Sequence, residues 1–307
     1  MTRFALSTMS AQHERLAAGD VFARFAAEAG FEAIELSHST PARLITELAE
    51  SKLLPIVAVH QPAPWEQSPL GMPNTQLNLA SLDEDERREA VFYAKRSIEL
   101  AVQLGARAVV LHMGNVEDAE LRHMDQRLRA RSAPETFVPG ALRRSAIACR
   151  SQLAEPYVAA ARRSLLELLE SARPAGITLG LESRMNFHEI PLPGELPVLL
   201  DGIDPEAAGY WHDIGHAEIL SRLGYIGPRA WFSNGAIQCV GAHVHDVDGI
   251  VDHRAPGRGD VDWDNHIPSI AHLDYWTFEI NQFEPDTAVC DAPRVLREQL
   301  SRIADRG

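Results

Sequence analysis

Cysteine is scarce in this chain, and its placement argues against two kinds of site. The 307 residues include three cysteines, Cys149, Cys239 and Cys290, which lie far apart and form no Cys-x-x-Cys pair. An odd, dispersed set of cysteines indicates neither a disulfide framework nor a thiolate zinc site. We therefore expect a protein of a reducing, cytoplasmic compartment.

Positive charge and long apolar runs are also lacking. Lysine and arginine number 29 against 43 aspartates and glutamates, which gives a net charge of −14. Such a balance lacks the basic footprint of proteins that bind long nucleic acids. No run reaches the roughly 18–20 apolar residues that a membrane helix needs, and the N-terminus does not resemble a signal peptide. We expect no membrane partner.

What is present is an ordinary globular composition, 45% hydrophobic and 23% charged, without low-complexity segments or short repeats. A chain of this length can bury a large core, and a single domain over residues 1–307 is the simplest interpretation. Short apolar runs alternate with longer amphipathic segments. The predicted strands are 3–7, 31–36, 53–60, 106–112, 177–182, 208–213, 239–245 and 275–280. The predicted helices are 20–29, 41–51, 83–104, 156–172, 217–223 and 292–303.

Strand–helix alternation repeated eight times predicts parallel strands with helical crossovers. Eight such units fit one closed (β/α)8 TIM barrel better than an open sheet. Two insertions interrupt the pattern after strands three and four, at 60–80 and 113–152. The second is rich in arginine between 122 and 150, which predicts either a lid that attracts an anionic substrate or a solvated helical face.

Polar side chains stand where six consecutive predicted strands end. They are His60, His112, Glu182, Asp213, His243 and Glu279, with His216 three positions after Asp213. In a parallel barrel these ends converge on the face where catalytic residues lie. Imidazoles and carboxylates without cysteine suit divalent Zn, Mn, Co, Fe or Mg. Because crowded carboxylates repel one another unless a cation lies between them, the pattern predicts a metal centre; the alternative is a hydrogen-bonded polar ring.

Residues beside these strand ends are candidates for holding a substrate. They are Arg184, His245, Gly257 and Gly259. His245 shares the strand face of His243, so it either contacts the substrate or supports a neighbouring ligand. Arg184 shares the strand face of Glu182, so it either binds a substrate anion or pairs with a carboxylate. The two glycines follow His253 and allow a tight turn whose backbone is open to a phosphate. Asp246 could orient a histidine ligand.

The pattern as a whole resembles the xylose isomerase-like barrels of apurinic/apyrimidinic endonuclease family 2. The resemblance rests on Asp213-x-x-His216, His243-x-x-Asp246 and His253-x-x-x-Gly257-x-Gly259. One branch of that family contains sugar isomerases and epimerases with one divalent ion. The resemblance implies that the ion is held at Glu182, Asp213, His243 and Glu279. The two glutamates would also move protons at a carbon next to a carbonyl.

The other branch resembles endonuclease IV, a trinuclear zinc phosphodiesterase. For that branch the resemblance implies metal ligands at His60, His112, Glu182, Asp213, His216, His243, His253 and Glu279. One departure concerns the third metal. The aspartate of the family's Asp-x-His pair falls at Val251, and Asp252 stands one position out of register.

Two enzymatic functions therefore remain open. Our first hypothesis is a metal-dependent phosphoester hydrolase acting on a small phosphorylated metabolite, because a one-ion isomerase has no need of His60 and His112, and two metals can clamp both oxygens of a displacement. The alternative is a sugar or sugar-phosphate isomerase or epimerase with Glu182 and Glu279 as acid and base. A third possibility is a non-catalytic metal-binding protein. Both enzymatic readings imply Zn or Mn, with one ion expected and two or three possible, and a small-molecule partner.

Overall fold

The computed structural model describes residues 2–131, 140–227, 229–235 and 237–304. Its strands are β1 (Arg3–Ser7), β2 (Ala33–Leu36), β3 (Ile56–His60), β4 (Ala108–Leu111), β5 (Thr178–Glu182), β6 (Ala208–Asp213), β7 (Cys239–Val244), β8 (Asp246–Asp248), β9 (Val251–Arg254) and β10 (Tyr275–Phe278). In this part of the chain, eight strands close into a barrel in the order β1-β10-β7-β6-β5-β4-β3-β2, while β8 and β9 form an antiparallel pair. Neighbouring barrel strands all pair in parallel. The predicted TIM barrel is confirmed, and every barrel strand lies within a predicted run.

Helices connect most of the barrel strands. They are α1 (Gly19–Glu28), α2 (Ala42–Ser51), α3 (Glu84–Leu104), α4 (Ala119–Arg131), α5 (Gly140–Ala175), α6 (Leu196–Leu200), α7 (Ile214–Arg222), α8 (Ile267–Ile270) and α9 (Asp286–Ala304). The ends of α3 illustrate why they form where they do. The Asp83 side chain accepts the first free N–H groups, and Gly105 closes the last turn at φ 71°, a conformation that glycine adopts without strain. None of the helices described is both long and apolar enough to cross a membrane.

A tryptophan fills the middle of the barrel. A Cβ added at Gly241 would lie 2.1 Å from Cε3 and Cζ3 of Trp211, and one added at Gly180 would lie 2.5 Å from Cε3. The neighbouring strands β5 and β7 thus carry glycine where the indole crosses the barrel. Asp213 follows Trp211 by two residues on β6 and therefore shares its face, one layer nearer the C-terminal rim.

The two predicted insertions differ in structure. Residues 61–83, after β3, are mostly irregular. The segment after β4 is largely helical and contains α4 and the first part of α5, although its residues 132–139 lie outside the described residues. Arg150 of this segment is buried and pairs with Glu195, so its charge is neutralised within the protein. The lid itself stays a prediction.

Candidate metal centre

Three carboxylates surround one imidazole at the C-terminal rim of the barrel. Glu182 and Asp213 end β5 and β6, Glu279 follows β10, and His243 lies on β7. The Nδ1 atom of His243 lies 2.7 Å from Glu182 Oε1, 3.2 Å from Glu279 Oε2 and 3.5 Å from Asp213 Oδ2. All four residues are essentially buried. The structure therefore brings these four predicted residues together, and their role as metal ligands stays a prediction.

A fourth carboxylate, which the sequence analysis missed, lies behind the imidazole. Glu35 of β2 is fully buried, and its Oε1 lies 2.8 Å from Nε2 of His243. The hydroxyl of Thr277 donates to the other oxygen, also at 2.8 Å. The signal was a charged residue inside the apolar run Ala-Ile-Glu-Leu. A carboxylate in this position fixes the tautomer of a ligating histidine and raises its basicity.

The surroundings of His243 fit a bound cation. Burial opposes a charge on His243, but Glu35, Glu279 and the other carboxylates raise the pKa of His243 well above its usual value. Without a metal ion, a proton on Nδ1 therefore lies among the oxygens of Glu182, Asp213 and Glu279, in the place that a divalent cation would take. The Oε1 atom of Glu279 is also buried, with no hydrogen-bond partner among the described residues. Three carboxylates and one imidazole suit Mn or Zn.

The pKa values of these carboxyl groups point the same way. Burial alone would raise the pKa of Glu182, but Arg184 and the nearby imidazoles hold that pKa well below its usual value. Burial likewise opposes the ionisation of Glu279, yet His243 and His60 hold the pKa of Glu279 well below its usual value. Both groups are therefore carboxylates at neutral pH, able to bind a cation or to accept a proton.

A second group of nitrogens lies on the other side of Glu182. The Nε2 atoms of His60 and His112 are 2.6 Å apart. The Nη1 atom of Arg184 lies 2.6 Å from both His112 Nε2 and Glu182 Oε2. His38, another residue that the sequence analysis missed, adds a third imidazole whose ligating nitrogen lies within 4.8 Å of the other two. Its signal was a histidine two residues after the end of β2.

A third group joins the end of β5 to the β8–β9 hairpin. His216 bonds through Nδ1 to the carbonyl of Ser183 at 2.9 Å, and His253 bonds through Nδ1 to the carbonyl of Glu279 at 3.0 Å. The Nε2 atom of His216 lies 3.7 Å from Oδ2 of Asp252, and the Nε2 atom of His253 lies 3.4 Å from the same oxygen. Although Asp252 stands one position out of the family's register, its carboxylate lies near both imidazoles. His253 has a φ of 52°, so the regular strand alternation fails at this point.

Of the two predicted places for His245, the structure favours the one behind a neighbouring ligand. The residue is fully buried, and its Nε2 lies 3.0 Å from Oδ1 of Asp213. Its Nδ1 accepts the backbone N–H of His253 at 2.9 Å. Because both nitrogens are engaged with the protein, His245 orients Asp213 and does not face a substrate.

The glycine turn also differs from the prediction. The carboxylate of Asp246 accepts the N–H of Gly257 at 2.9 Å and that of Val261 at 3.0 Å. A Cβ at Gly259 would lie 2.3 Å from the carbonyl oxygen of Val247. The glycines thus let the turn fold tightly onto Asp246. The N–H of Gly257 is not free for a phosphate, and Asp246 holds the turn instead of orienting a histidine ligand.

Comparison with curated proteins gives one distant relative. The uncharacterized protein MJ1311 of Methanocaldococcus jannaschii is 24% identical to this chain over 213 residues. The match covers 66% of this chain and spans 59% of the length of that relative.

Solved structures share the barrel, and the family itself can be identified. A D-tagatose 3-epimerase-like protein superposes with a TM-score of 0.67 at 22% identity, covering 99% of both chains. A D-allulose 3-epimerase from Methylomonas sp. in complex with D-allulose gives 0.63 at 15%, covering 100% of this chain and 97% of the other. The IOLI protein with bound zinc gives 0.62 at 13%, covering 98% and 99%. These identities establish a common fold. The sequence profile of the xylose isomerase-like TIM barrel family matches residues 23–305, and the chain belongs to that family.

Proposed function

We propose that this protein is a divalent-metal-dependent isomerase or epimerase of a sugar or sugar phosphate. The observation that carries the proposal is the buried set of Glu182, Asp213 and Glu279 around Nδ1 of His243. Glu279 and Glu182 lie on opposite sides of His243 in the barrel. Glu279 follows β10, which is adjacent to β7, and Glu182 ends β5, which lies two strands from β7 on the other side. They can therefore approach one small substrate from two directions.

The chemistry follows from the two glutamates. A divalent ion held by the four side chains would polarise the carbonyl and hydroxyl oxygens of a bound ketose. Glu182 and Glu279 each place an oxygen within 4.8 Å of the other and of His243. One glutamate, ionised, would take the proton from the carbon next to the carbonyl, and the other, after taking up a proton from water, would deliver that proton to the opposite face. The lowered pKa values of Glu182 and Glu279 leave both groups ionised without substrate, so either one can act as the base.

The substrate class and the metal are supported by the solved relatives. Two of the three structures described above carry the names of ketose 3-epimerases, and one of these holds D-allulose. A third contains zinc. The predicted choice of Zn or Mn also agrees with a ligand set of three carboxylates and one imidazole.

Hydrogen exchange tests this proposal directly. We expect the zinc- or manganese-loaded protein, in D2O, to place deuterium next to the carbonyl of a ketohexose or of its phosphate. D-tagatose and D-allulose are the first substrates to test. Glu182→Gln and Glu279→Gln should each abolish exchange, because an amide cannot accept the proton. Glu206→Gln, an exposed change in the loop before β6, is the matched control. Exchange that survives in Glu279→Gln would refute the acid–base assignment.

A phosphoester hydrolase remains the second candidate, and a specific observation favours it. His60 and His112 lie beside Glu182, while His216, His253 and Asp252 form another group, so the rim holds more nitrogens than one ion needs. Hydrolysis of bis-p-nitrophenyl phosphate by the metal-loaded protein, with no exchange into any ketose, would favour this candidate over the epimerase.

A further inference from the structure

The position of Arg184 is fixed from two sides. Its Nη1 lies 2.6 Å from Oε2 of Glu182 and 2.6 Å from Nε2 of His112. Its Nε lies 3.3 Å from Oε1 of Glu189. Glu189 in turn accepts the backbone N–H of Asn186 at 2.8 Å and its side-chain amide at 2.9 Å. The guanidinium is therefore held in the corner between Glu182 and His112, and its side chain is only 16% exposed.

The same corner contains the donor atoms of a metal site. His38, His60 and His112 each offer a nitrogen, and these nitrogens lie within 4.8 Å of one another. Oε2 of Glu182 lies 2.9 Å from Nε2 of His112 and 3.6 Å from Nε2 of His60. The Nδ1 of His38 is buried, with no hydrogen-bond partner in the described part of the chain.

The distances from His112 to His60 and to Glu182 are close to those of zinc coordination. Zinc bonds imidazole nitrogen at about 2.0–2.1 Å, so nitrogens at adjacent tetrahedral corners are about 3.4 Å apart. The Nε2 atoms of His60 and His112, now 2.6 Å apart, would need to separate by less than about 1 Å. Three imidazoles and one carboxylate make up a tetrahedral set, for which His38 must move closer to Glu182, since these two residues belong to different groups of neighbouring donors.

The guanidinium occupies the atoms that such an ion would need. Arginine has no acceptor and stays protonated, so Arg184 can only donate to Nε2 of His112 and to Oε2 of Glu182. A metal ion needs those same lone pairs. The guanidinium also supplies a positive charge beside Glu182, and it would repel a second cation.

We propose that Arg184 is a built-in cation that fills a second metal position, and that removing its guanidinium opens a zinc site made by His38, His60, His112 and Glu182. The proposal rests on the proposed function only in taking Glu182 as a ligand of the first ion. With Arg184 in place, the rim next to Glu182 holds one divalent ion. One ion serves proton transfer at carbon, whereas two ions at the spacing of a shared carboxylate serve phosphoryl transfer. Arg184 then decides which of these chemistries this side of the rim supports.

Zinc stoichiometry of the full-length protein tests the proposal. Each variant is equilibrated with zinc, freed of loosely bound metal by gel filtration, and analysed by mass spectrometry of the metal. We expect Arg184→Met to hold one zinc ion per chain more than the wild type, since methionine keeps an unbranched stem without charge. Arg184→Gln, which can still bond Glu189, should gain the same ion if the methionine variant folds poorly. Arg184→Lys keeps the charge and should match the wild type.

The double variant Arg184→Met/His112→Ala identifies the new site, because it should return to the wild-type zinc content. Cobalt substitution gives a second readout. We expect an additional tetrahedral Co(II) absorption in Arg184→Met that the double variant lacks. An unchanged zinc content in both neutral variants, or a gain that survives the loss of His112, would overturn the proposal. This test measures the difference in zinc content between each variant and the wild type. A wild type that binds no zinc, or that exchanges no hydrogen in a ketose, would refute the proposed function and leave this difference to be measured.

Discussion

Glu35 offers the sharpest test of the metal centre, because it bonds the imidazole of His243 directly, whereas His60, the next predicted ligand, keeps its Nδ1 4.0 Å from Oε1 of Glu35. Its carboxylate is fully buried and lies 2.8 Å from Nε2 of His243 and 2.8 Å from the hydroxyl of Thr277. Two substitutions separate its charge from its hydrogen bonds. Glu35→Gln keeps the shape and one acceptor oxygen, whereas Glu35→Ala removes both oxygens.

The expected magnitudes follow from these contacts. Loss of a group that supports a metal-ligating histidine typically weakens metal binding by about 10–100-fold, or about 1.4–2.7 kcal/mol. In Glu35→Gln the amide oxygen can still accept from His243, and the hydroxyl of Thr277 can turn to accept from the amide N–H. Only the negative charge is lost, so we expect about a tenfold loss of affinity. Glu35→Ala also leaves Nε2 of His243 without an acceptor, so we expect about a hundredfold loss.

The assay is a competition for zinc between the protein and a chromogenic chelator. Circular dichroism of each metal-free variant checks that the barrel still folds, and Glu206→Gln, an exposed change, is the matched control. Thr277→Val removes only the second contact of Glu35 and should weaken binding by a few-fold. A folded Glu35→Ala variant that binds zinc within twofold of the wild type would refute the reasoning, because His243 would then not be a ligand.

Two stability predictions are independent of metal. Gly241→Ala adds a methyl group 2.1 Å from two ring carbons of Trp211, and overpacking of this kind costs about 1–3 kcal/mol. Urea unfolding measures the loss, and Trp211→Leu in the same chain should recover part of it; an unchanged midpoint for Gly241→Ala alone would contradict the packing. Arg150→Met leaves the carboxylate of Glu195 without its partner, and breaking such a buried pair costs about 3–5 kcal/mol of unfolding free energy. A loss of less than about 1 kcal/mol would mean that water already screens the pair.

The barrel could be predicted because its strands are buried on both faces and therefore appear as short apolar runs. The run at 208–213 coincides with β6, while the run at 53–60 begins three residues before β3. Helix α5 shows the limit of the method. The predicted helix begins at Pro156, a residue that favours the first turn, but α5 begins at Gly140 and contains Pro156 in its interior. The preference of proline for a helix start therefore did not decide where α5 begins.

The candidate site could be predicted where a polar residue ends a strand. Glu182 and Asp213 meet this condition, and the structure brings them together with His243. Glu35 lies one residue before the end of β2 and His38 two residues after that end, so a test limited to the last residue of each strand does not predict them.

Loop residues at the site could not be placed by strand periodicity. Period-two alternation holds only while the backbone stays extended. His253 adopts a left-handed φ of 52°, which lets Asp252 and His253 both reach the group that contains His216. The prediction of a phosphate-binding turn at the two glycines fails for another reason. Gly257 and Gly259 look like an open phosphate loop in sequence, but a carboxylate eleven residues before Gly257, that of Asp246, already accepts the N–H of Gly257.

Arg184 shows why the number of metal ions is harder to predict than the site. Strand alternation places Arg184 on the same face as Glu182, but it does not say whether the guanidinium turns toward the carboxylates or toward a substrate. That direction is set by Glu189, a residue of the following loop whose own carboxylate is held by Asn186. The turn of this loop therefore holds a positive charge against His112. A sequence with the same strand ends and a different loop after β5 would leave that corner free for a second ion, so the loop, and not the ligand list, decides between one ion and two.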